Sequence, residues 1–398
     1  MTTSIHRDSG QTSVLSDDLL KRCMERAPGY DQDNKFCDED FKELKEAGYL
    51  LAAVPKELGG LGLNLAQVCQ EQRRLGYHAA PTALAVHMHF YWTGLAADVW
   101  RSGDMSTEWM LKAAVDGEVF AAGHAESGND LPLLLSTTKA EKVDGGYKFT
   151  GRKSFGSLTP VWTYLGMHGM DTSNPDAPKI IHAFMPRDTD GYTIENVWDT
   201  LGMRATQSQD TVLNGAFVPD KYITRVVDPG AAGVDLFVLG IFAWALLGFA
   251  NVYYGNAQHA LDLTIEAVKN KKSLALTRSM AYHPEVQHSI AEMVMEMDSV
   301  EAHIDLIAQQ WSDGVDHGHG WPAKLISAKH HAAEGTWKVV DECMDLQGGF
   351  SIFKAGGFER LWRDARLVKI HPVNKALSME FVGKTALGIS PDESPRWG

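Results

Sequence analysis

Residues 236–254, LFVLGIFAWALLGFANVYY, run for nineteen positions without one charged side chain, and this run limits the possible folds more than any other feature of the chain. A helix of that length is long enough to cross a bilayer. However, it continues without a break into the amphipathic QHALDLTIEAVKNKK, and no second segment resembles it. A helix that is apolar all round is also what the centre of a bundle requires. The expectation is therefore a buried core helix, with no membrane as partner.

Periodicity divides the rest into three parts and gives an α+β class. Residues 1–118 read as helical: Ser16-Asp17-Asp18 can cap LLKRCMERA, and Asp38-Glu39-Asp40 can start FKELKEAGYL. A glycine-rich turn from Pro55 to Leu63 then leads into a long apolar-periodic segment containing His87 and His89. Residues 119–229 change to short β runs separated by glycine, proline and aspartate, among them FAAGHAES, YKFTGRKSF, VWTYLGMHG, KIIHAFMPR, GYTIENVW and TVLNGAFVP, which suit a compact antiparallel domain. Residues 230–398 return to helical spacing, with Leu236–Lys271, Pro284–Trp311 and Pro322–Leu346 as the long members of a bundle.

Charge and motifs exclude several functions. A formal charge of −14 over 398 residues argues against nucleic acid, whose phosphates want a basic surface. The opening MTTSIHRDSG has no apolar core for a signal peptide, so a cytoplasmic protein is expected. Cys23, Cys37, Cys69 and Cys343 form no CxxC pair and read as reduced thiols, and His317 and His319 lie in a polar loop, so no metal site is expected. Without GxGxxG, a Walker loop, a nucleophile elbow or HExxH, nicotinamide and nucleotide-hydrolase readings have no motif behind them.

The chemistry concentrates between Asp345 and Pro372, DLQGGFSIFKAGGFERLWRDARLVKIHP. Gln347-Gly348-Gly349 lets the backbone turn and approach a ligand where a long helix ends. Glu359, Arg360, Arg363, Asp364 and Arg366 follow at spacings of three and four, giving intrahelical ion pairs and guanidinium forks for a phosphate or a neighbouring subunit.

QGGF and FERLWRDAR resemble the C-terminal signature of the acyl-CoA dehydrogenase superfamily. PKELGGLGL, AESGND, GRKSFGS and WDTLGMRAT are similar to its other loops. The resemblance implies an N-terminal helical domain, a middle antiparallel β domain and a C-terminal four-helix bundle, assembled as a homotetramer. It implies FAD rather than FMN, with FADH2 as the working form. Ala125, Gly128, Asn129, Phe155 and Ser157 would then cradle the flavin, while Arg278, Gln287, Gln347, Gly348 and Gly349 would meet its ADP half across a subunit interface.

One position departs from the dehydrogenase pattern. Where many true dehydrogenases carry a basic glutamate, this chain has Pro372, which cannot accept a proton. The family's second home for that base lies on the helix opening the third part, where residues 236–265 offer only Asp262; Glu380 is the nearest carboxylate after Pro372. His371 resembles the histidine of the flavin-dependent monooxygenases of this fold, the dibenzothiophene and phenol hydroxylating types, in which a histidine from the region of His87 or His89 also faces the flavin. Two residues apart, His87 and His89 cannot share a helix face.

The resemblance thus implies a two-component monooxygenase that takes oxygen and an aromatic or other bulky small molecule and is fed by a separate flavin reductase. Such an enzyme keeps a flavin C4a-(hydro)peroxide in a dry pocket beside a hydrogen-bond donor, and His371 could be that donor or a base. Residues 88–92 and 237–249 could line the pocket. The rival readings are an acyl-thioester α,β-dehydrogenase with a relocated base and a non-catalytic flavin- or acyl-binding relative.

Overall fold

The architecture is that of a computed structural model describing residues 13–130, 133–230 and 235–393; the opening MTTSIHRDSG lies outside them. In the first part Ser16 caps helix α1 (Asp17–Asp33) by accepting from the Leu19 amide, and α2 (Asp38–Glu46) follows. Helix α3 (Leu65–Arg101) starts on a capping box in which Asn64 and Gln67 satisfy each other's amides, which is why a helix begins there. It breaks at Ala79, just before Pro81, whose missing N–H and bulky ring interrupt the helical ladder. Helix α4 (Glu108–Val115) closes this part.

The middle part is one mixed sheet: β1 (Phe120–Gly123), β2 (Lys139–Val143), β3 (Gly146–Gly156), β4 (Tyr164–Asp171), β5 (Lys179–Pro186), β6 (Tyr192–Glu195), β7 (Gln209–Pro219) and β8 (Ile223–Val227). The order is β6-β7-β3-β2-β4-β5-β8, with β1 joined to β4. The expected antiparallel pairing holds along most of it, but β4 runs parallel to both of the strands on its inner side, to β1 over its first half and to β2 where Lys139 meets Met170. A parallel pair needs a long crossover, and β2 with β3 supplies it between β1 and β4. Strands β2 and β8 escaped the sequence reading. KAEKV turns one apolar residue, Ala140, inward, and ITRVV is half-exposed throughout, so neither shows a clean alternation.

Helix α5 (Leu236–Asn270) holds the apolar run, and its most apolar window is 83% buried by its neighbours α6 (Pro284–Ser312), α7 (Trp321–Gln347) and above all α3. Helices α3 and α5 pack antiparallel at very short range. A β-carbon at Gly94 would fall inside the Trp244 ring, one at Gly248 inside the His87 ring, and one at Gly255 on the Arg73 carbonyl. The turn after α7 leads to α8 (Phe358–Arg366) and α9 (Lys375–Leu387).

Helix α8 corrects one expectation. Its guanidinium groups are not held out for a phosphate or a neighbour but turned inward. Arg363 grips Asp31 of α1 through two bonds of 2.9 and 2.6 Å, Glu359 one turn back at 2.5 Å, and the Leu201 carbonyl at 2.8 Å. Asp364 accepts from the Met203 amide at 2.5 Å, Arg360 is buried beside it, and Arg366 stacks over Trp337. One short helix thus ties all three parts together. Removing the guanidinium would leave the largely buried Glu359 without its cation and Asp31 with only Arg204, 3.9 Å away, which costs about 3 kcal/mol. Arg363→Met is accordingly expected to lower the unfolding free energy of the full chain, measured in urea, by that order, and an unchanged midpoint would contradict the clamp.

Candidate functional site

The close α3–α5 packing sets one aromatic ring, Phe249, between two histidines. His87 on α3 lies edge-on to it with ring centroids 5.7 Å apart and bonds the Trp244 carbonyl through Nε2 at 2.8 Å. His371, from the turn after α8, stacks on the same ring at 4.7 Å, and its Nε2 lies 2.8 Å from the Tyr253 hydroxyl. Behind His371, Lys329 of α7 donates to the His371 carbonyl at 2.7 Å and the Val373 carbonyl at 3.0 Å. One turn after His87, Tyr91 meets His124 Nδ1 at 2.7 Å. Burial pushes His87 down to about 4; burial and then the Lys329 ammonium push His371 down to about 3, so both rings are neutral at physiological pH.

The structure brings His87 and His371 together and sends His89 elsewhere. His89 points to the opposite side of α3, where Nδ1 accepts from the Phe120 amide at 3.2 Å and Nε2 lies 3.0 Å from the Leu50 carbonyl. Both nitrogens are engaged, so this residue is a strut between the helical part and β1 and has none left for a substrate. Tyr91 and Phe249 fall within the ranges 88–92 and 237–249 expected to line a pocket, whereas Tyr253 and Lys329 had no place in the sequence expectations for the site. The i, i+4 spacings of His87 with Tyr91 and of Phe249 with Tyr253 could have signalled shared faces. Lys329 has no such signal, because its importance rests on a turn more than forty residues away.

The loops expected to cradle a flavin lie at the sheet. Ala125 accepts from the Ser154 amide at 2.9 Å, and Gly128 takes a φ of +78° with open space around it. Asn129 is engaged inside the loop, its side-chain amide donating to Glu126 at 3.0 Å and to the Leu135 carbonyl at 2.8 Å. Glu126 is the loop's anchor. Burial raises its pKa, but Lys153 at 2.5 Å and the hydroxyls of Thr138 and Ser136 outweigh that and hold it at about 2. Phe155 sits at a φ of +59° with its ring 59% exposed and its edge toward Trp198. Ser157 is bonded to Ser208 and through it to Thr206. An uncovered aromatic ring beside a polar backbone turn and a serine hydroxyl fits a planar, hydrogen-bonding flavin ring.

The residues expected at the other half of the cofactor lie around the start of α6 and the end of α7. Gln347 donates to Thr264 and Lys271 donates to its carbonyl; Gly348 takes a φ of +70°, and Gly349 has open space around it. Arg278 is exposed above Tyr282, and Gln287 bonds the Ala281 carbonyl. Phe350 and Phe353 beside the glycine turn are 82% and 59% exposed. A cleft of about 650 Å³ lies at the far end of α3, lined by Asp98, Arg101, Leu239 and Trp311 among others, and touches none of the histidine group. Among the described residues no group of three or more metal-ligating side chains could hold a metal ion.

With this geometry in view, two family descriptions match the chain: "Acyl-CoA dehydrogenase, N-terminal domain" over residues 17–112 and "Acyl-CoA dehydrogenase, C-terminal domain" over residues 247–376. The chain is 28% identical to the putative acyl-CoA dehydrogenase YdbM of Bacillus subtilis, over 84% of this chain and 86% of that protein. It is 26% identical to the amino sugar nitrososynthase RubN8 of Streptomyces rubradiris, over 99% and 93%. Among solved structures, KijD3 in complex with FMN and dTDP-3-amino-2,3,6-trideoxy-4-keto-3-methyl-D-glucose superposes with a TM-score of 0.83 at 25% identity, covering 95% of this chain and 93% of that one.

The neutral histidines set a pH dependence. His87, His89 and His259 are pushed down to about 4 and His182 and His371 to about 3, each chiefly by burial, and burial likewise lowers His124 and His168 well below the ordinary imidazole value. Below pH 6.5 the unfolded chain takes up protons that these folded rings refuse. Stability is therefore full above 6.5 and falls toward the folded values at ~1.4 kcal/mol per pH unit for each ring. Asp364, raised to about 6 by burial, works in the opposite direction, as do Asp40 and Asp98, but the histidines outnumber them. The urea midpoint should drop clearly between pH 7.5 and 5.5; a flat profile would refute the neutral rings.

Proposed function

The chain belongs to the acyl-CoA dehydrogenase superfamily, and we propose that within it the protein is a reduced-flavin-dependent monooxygenase acting on an aromatic or other bulky small molecule. The observation that carries this reading is the composition of the Phe249 group. Its polar members are His87, Tyr253, Lys329 and His371, and none is a carboxylate. A dehydrogenase must remove an α-proton with a base in hydrogen-bond reach. Asp262 lies nine residues beyond Tyr253 on α5, about 14 Å along the helix, and bonds Tyr77; Glu380 is paired with Lys384. Asp364 is turned toward the Met203 amide.

Oxygen transfer is supported from another side by RubN8, whose name states that it makes a nitroso group, a product that carries oxygen on nitrogen. When bound, the reduced flavin supplies the two electrons with which one atom of O2 enters the substrate and the other leaves as water. The chain's own residues do the rest. Phe249 and the packed α3–α5 pair keep water from one side, His371 acts at the reacting oxygen, and His87 holds the ring between them. A separate reductase and NADH would regenerate the flavin.

The test combines the purified chain with such a reductase, NADH, 18O2 and an aromatic probe such as indole. Labelled product is expected, and no acyl-CoA should bleach the oxidised flavin anaerobically; bleaching by an acyl-CoA would sink the proposal. His371→Ala should keep consuming oxygen while product per oxygen falls by about 100-fold.

FAD is the proposed flavin, in a homotetramer whose neighbouring subunit covers the Gln347-Gly348-Gly349 turn. This rests on the retained turn and on the exposed Phe350 and Phe353 beside it. KijD3 was seen with FMN, so the two flavins are to be compared directly. FAD is expected to bind at least about tenfold more tightly, a difference of about 1.4 kcal/mol, to a particle four chains in mass by light scattering. Equal affinities, or a monomer, would overturn this part.

A further inference from the structure

We propose that Tyr253 and Lys329 are positioning residues that fix His371 as a neutral imidazole with its proton on Nδ1, so that the ring offers the site a hydrogen-bond donor and not a base. The inference rests on the reading of His371 as the group acting at the reacting oxygen.

The tautomer follows from counting protons. The Tyr253 hydroxyl is fully buried, and among the described residues its one hydrogen-bond partner is His371 Nε2, 2.8 Å away. Burial, with the charge of Asp364 behind it, holds the phenol's pKa well above 10, so it keeps its proton. If Nε2 carried a proton and donated, the phenol proton would be left buried without an acceptor, an arrangement that folded proteins avoid. The phenol therefore donates to Nε2, and a neutral ring must then carry its own proton on Nδ1. Nδ1 has no partner among the described residues, and His371 is only half-buried. The stacked Phe249 fixes the plane in which this N–H points.

Lys329 completes the arrangement. It is 2% exposed, and its ammonium is bonded to the carbonyls of His371 and Val373, one on the histidine itself and one two residues on. The same bonds hold a positive charge beside the ring, where it opposes an imidazolium. No opposing carboxylate bonds the ring from the elements around it. On α7, Glu334 is paired with Lys369 at 2.8 Å, and His330 carries no negative charge. On α8, Asp364 faces Tyr253 and the Met203 amide; Lys375, at the start of α9, adds positive charge; across Phe249, His87 is neutral. A donor suits an oxygen atom gaining negative charge, whereas a base would need the lone pair that Tyr253 occupies.

The deciding measurement is the 15N spectrum of the full chain labelled in histidine, recorded without flavin at pH 7. The His371 signals are identified by their loss in His371→Gln. Nδ1 should bear the proton and Nε2 should be bare. In Tyr253→Phe the preference for Nδ1–H should disappear, while the signals of the other histidines stay in place. In Lys329→Met the ring should titrate about 1 pH unit or more higher, and Lys329→Arg, which keeps the charge, should leave it where it is. A proton on Nε2 in the native chain, an imidazolium at pH 7, or a Tyr253→Phe spectrum like the native one would overturn the assignment. If Lys329→Met fails to fold, as its circular dichroism would reveal, the native and Tyr253→Phe spectra decide. Because the spectrum needs neither flavin nor substrate, it succeeds or fails separately from the 18O2 assay.

Discussion

Helices α3 and α5 touch almost backbone to backbone, and most of what this protein can do depends on that contact. Glycine stands wherever the partner would collide: Gly94 under Trp244, Gly248 under His87, Gly255 against the Arg73 carbonyl. Without side chains at those positions the apolar run of α5 can be covered closely from one direction, with α6 and α7 covering it from the others. The same closeness decides the chemistry. His87 can reach the Trp244 carbonyl and the edge of Phe249 only because Gly248 leaves room for an imidazole. A bulkier residue there would push the histidine and the aromatic ring apart.

Around this contact, burial controls charge. His87, His89 and His371 are neutral because their surroundings solvate an imidazolium poorly, and each is satisfied differently. His89 spends both nitrogens on backbone groups and becomes part of the frame. His371 spends one on Tyr253 and keeps the other. Two histidines of the same type on or beside the same helix pair thus differ in what they can do because of hydrogen-bond accounting, not acidity.

The three parts of the chain are held in register by the α8 clamp. Arg363 reaches Asp31 of the first part and the Leu201 carbonyl of the second while standing on the third, and Asp364 takes the Met203 amide. Charges that on an isolated helix would have served as surface ion pairs become the joints between domains. This also explains why a spacing argument was right about the pair Glu359–Arg363 and wrong about where the guanidinium forks would go.

The sequence by itself determined the helix–sheet–helix order, the cap at Ser16, the ends of the long helices to within a residue or two, and the burial of residues 236–254, because these follow from period, caps and charge along the chain. It also determined that His371 stands beside Pro372, where a carboxylate base would otherwise be expected. Only the tertiary structure decided that His87 and not His89 shares Phe249 with His371, that Asn129 closes its own loop, that β1 lies parallel to β4, and that Lys329 and Tyr253 surround the imidazole. Each of these joins residues far apart in the chain, and local periodicity carries no information about which distant faces will meet once the glycines let two helices close.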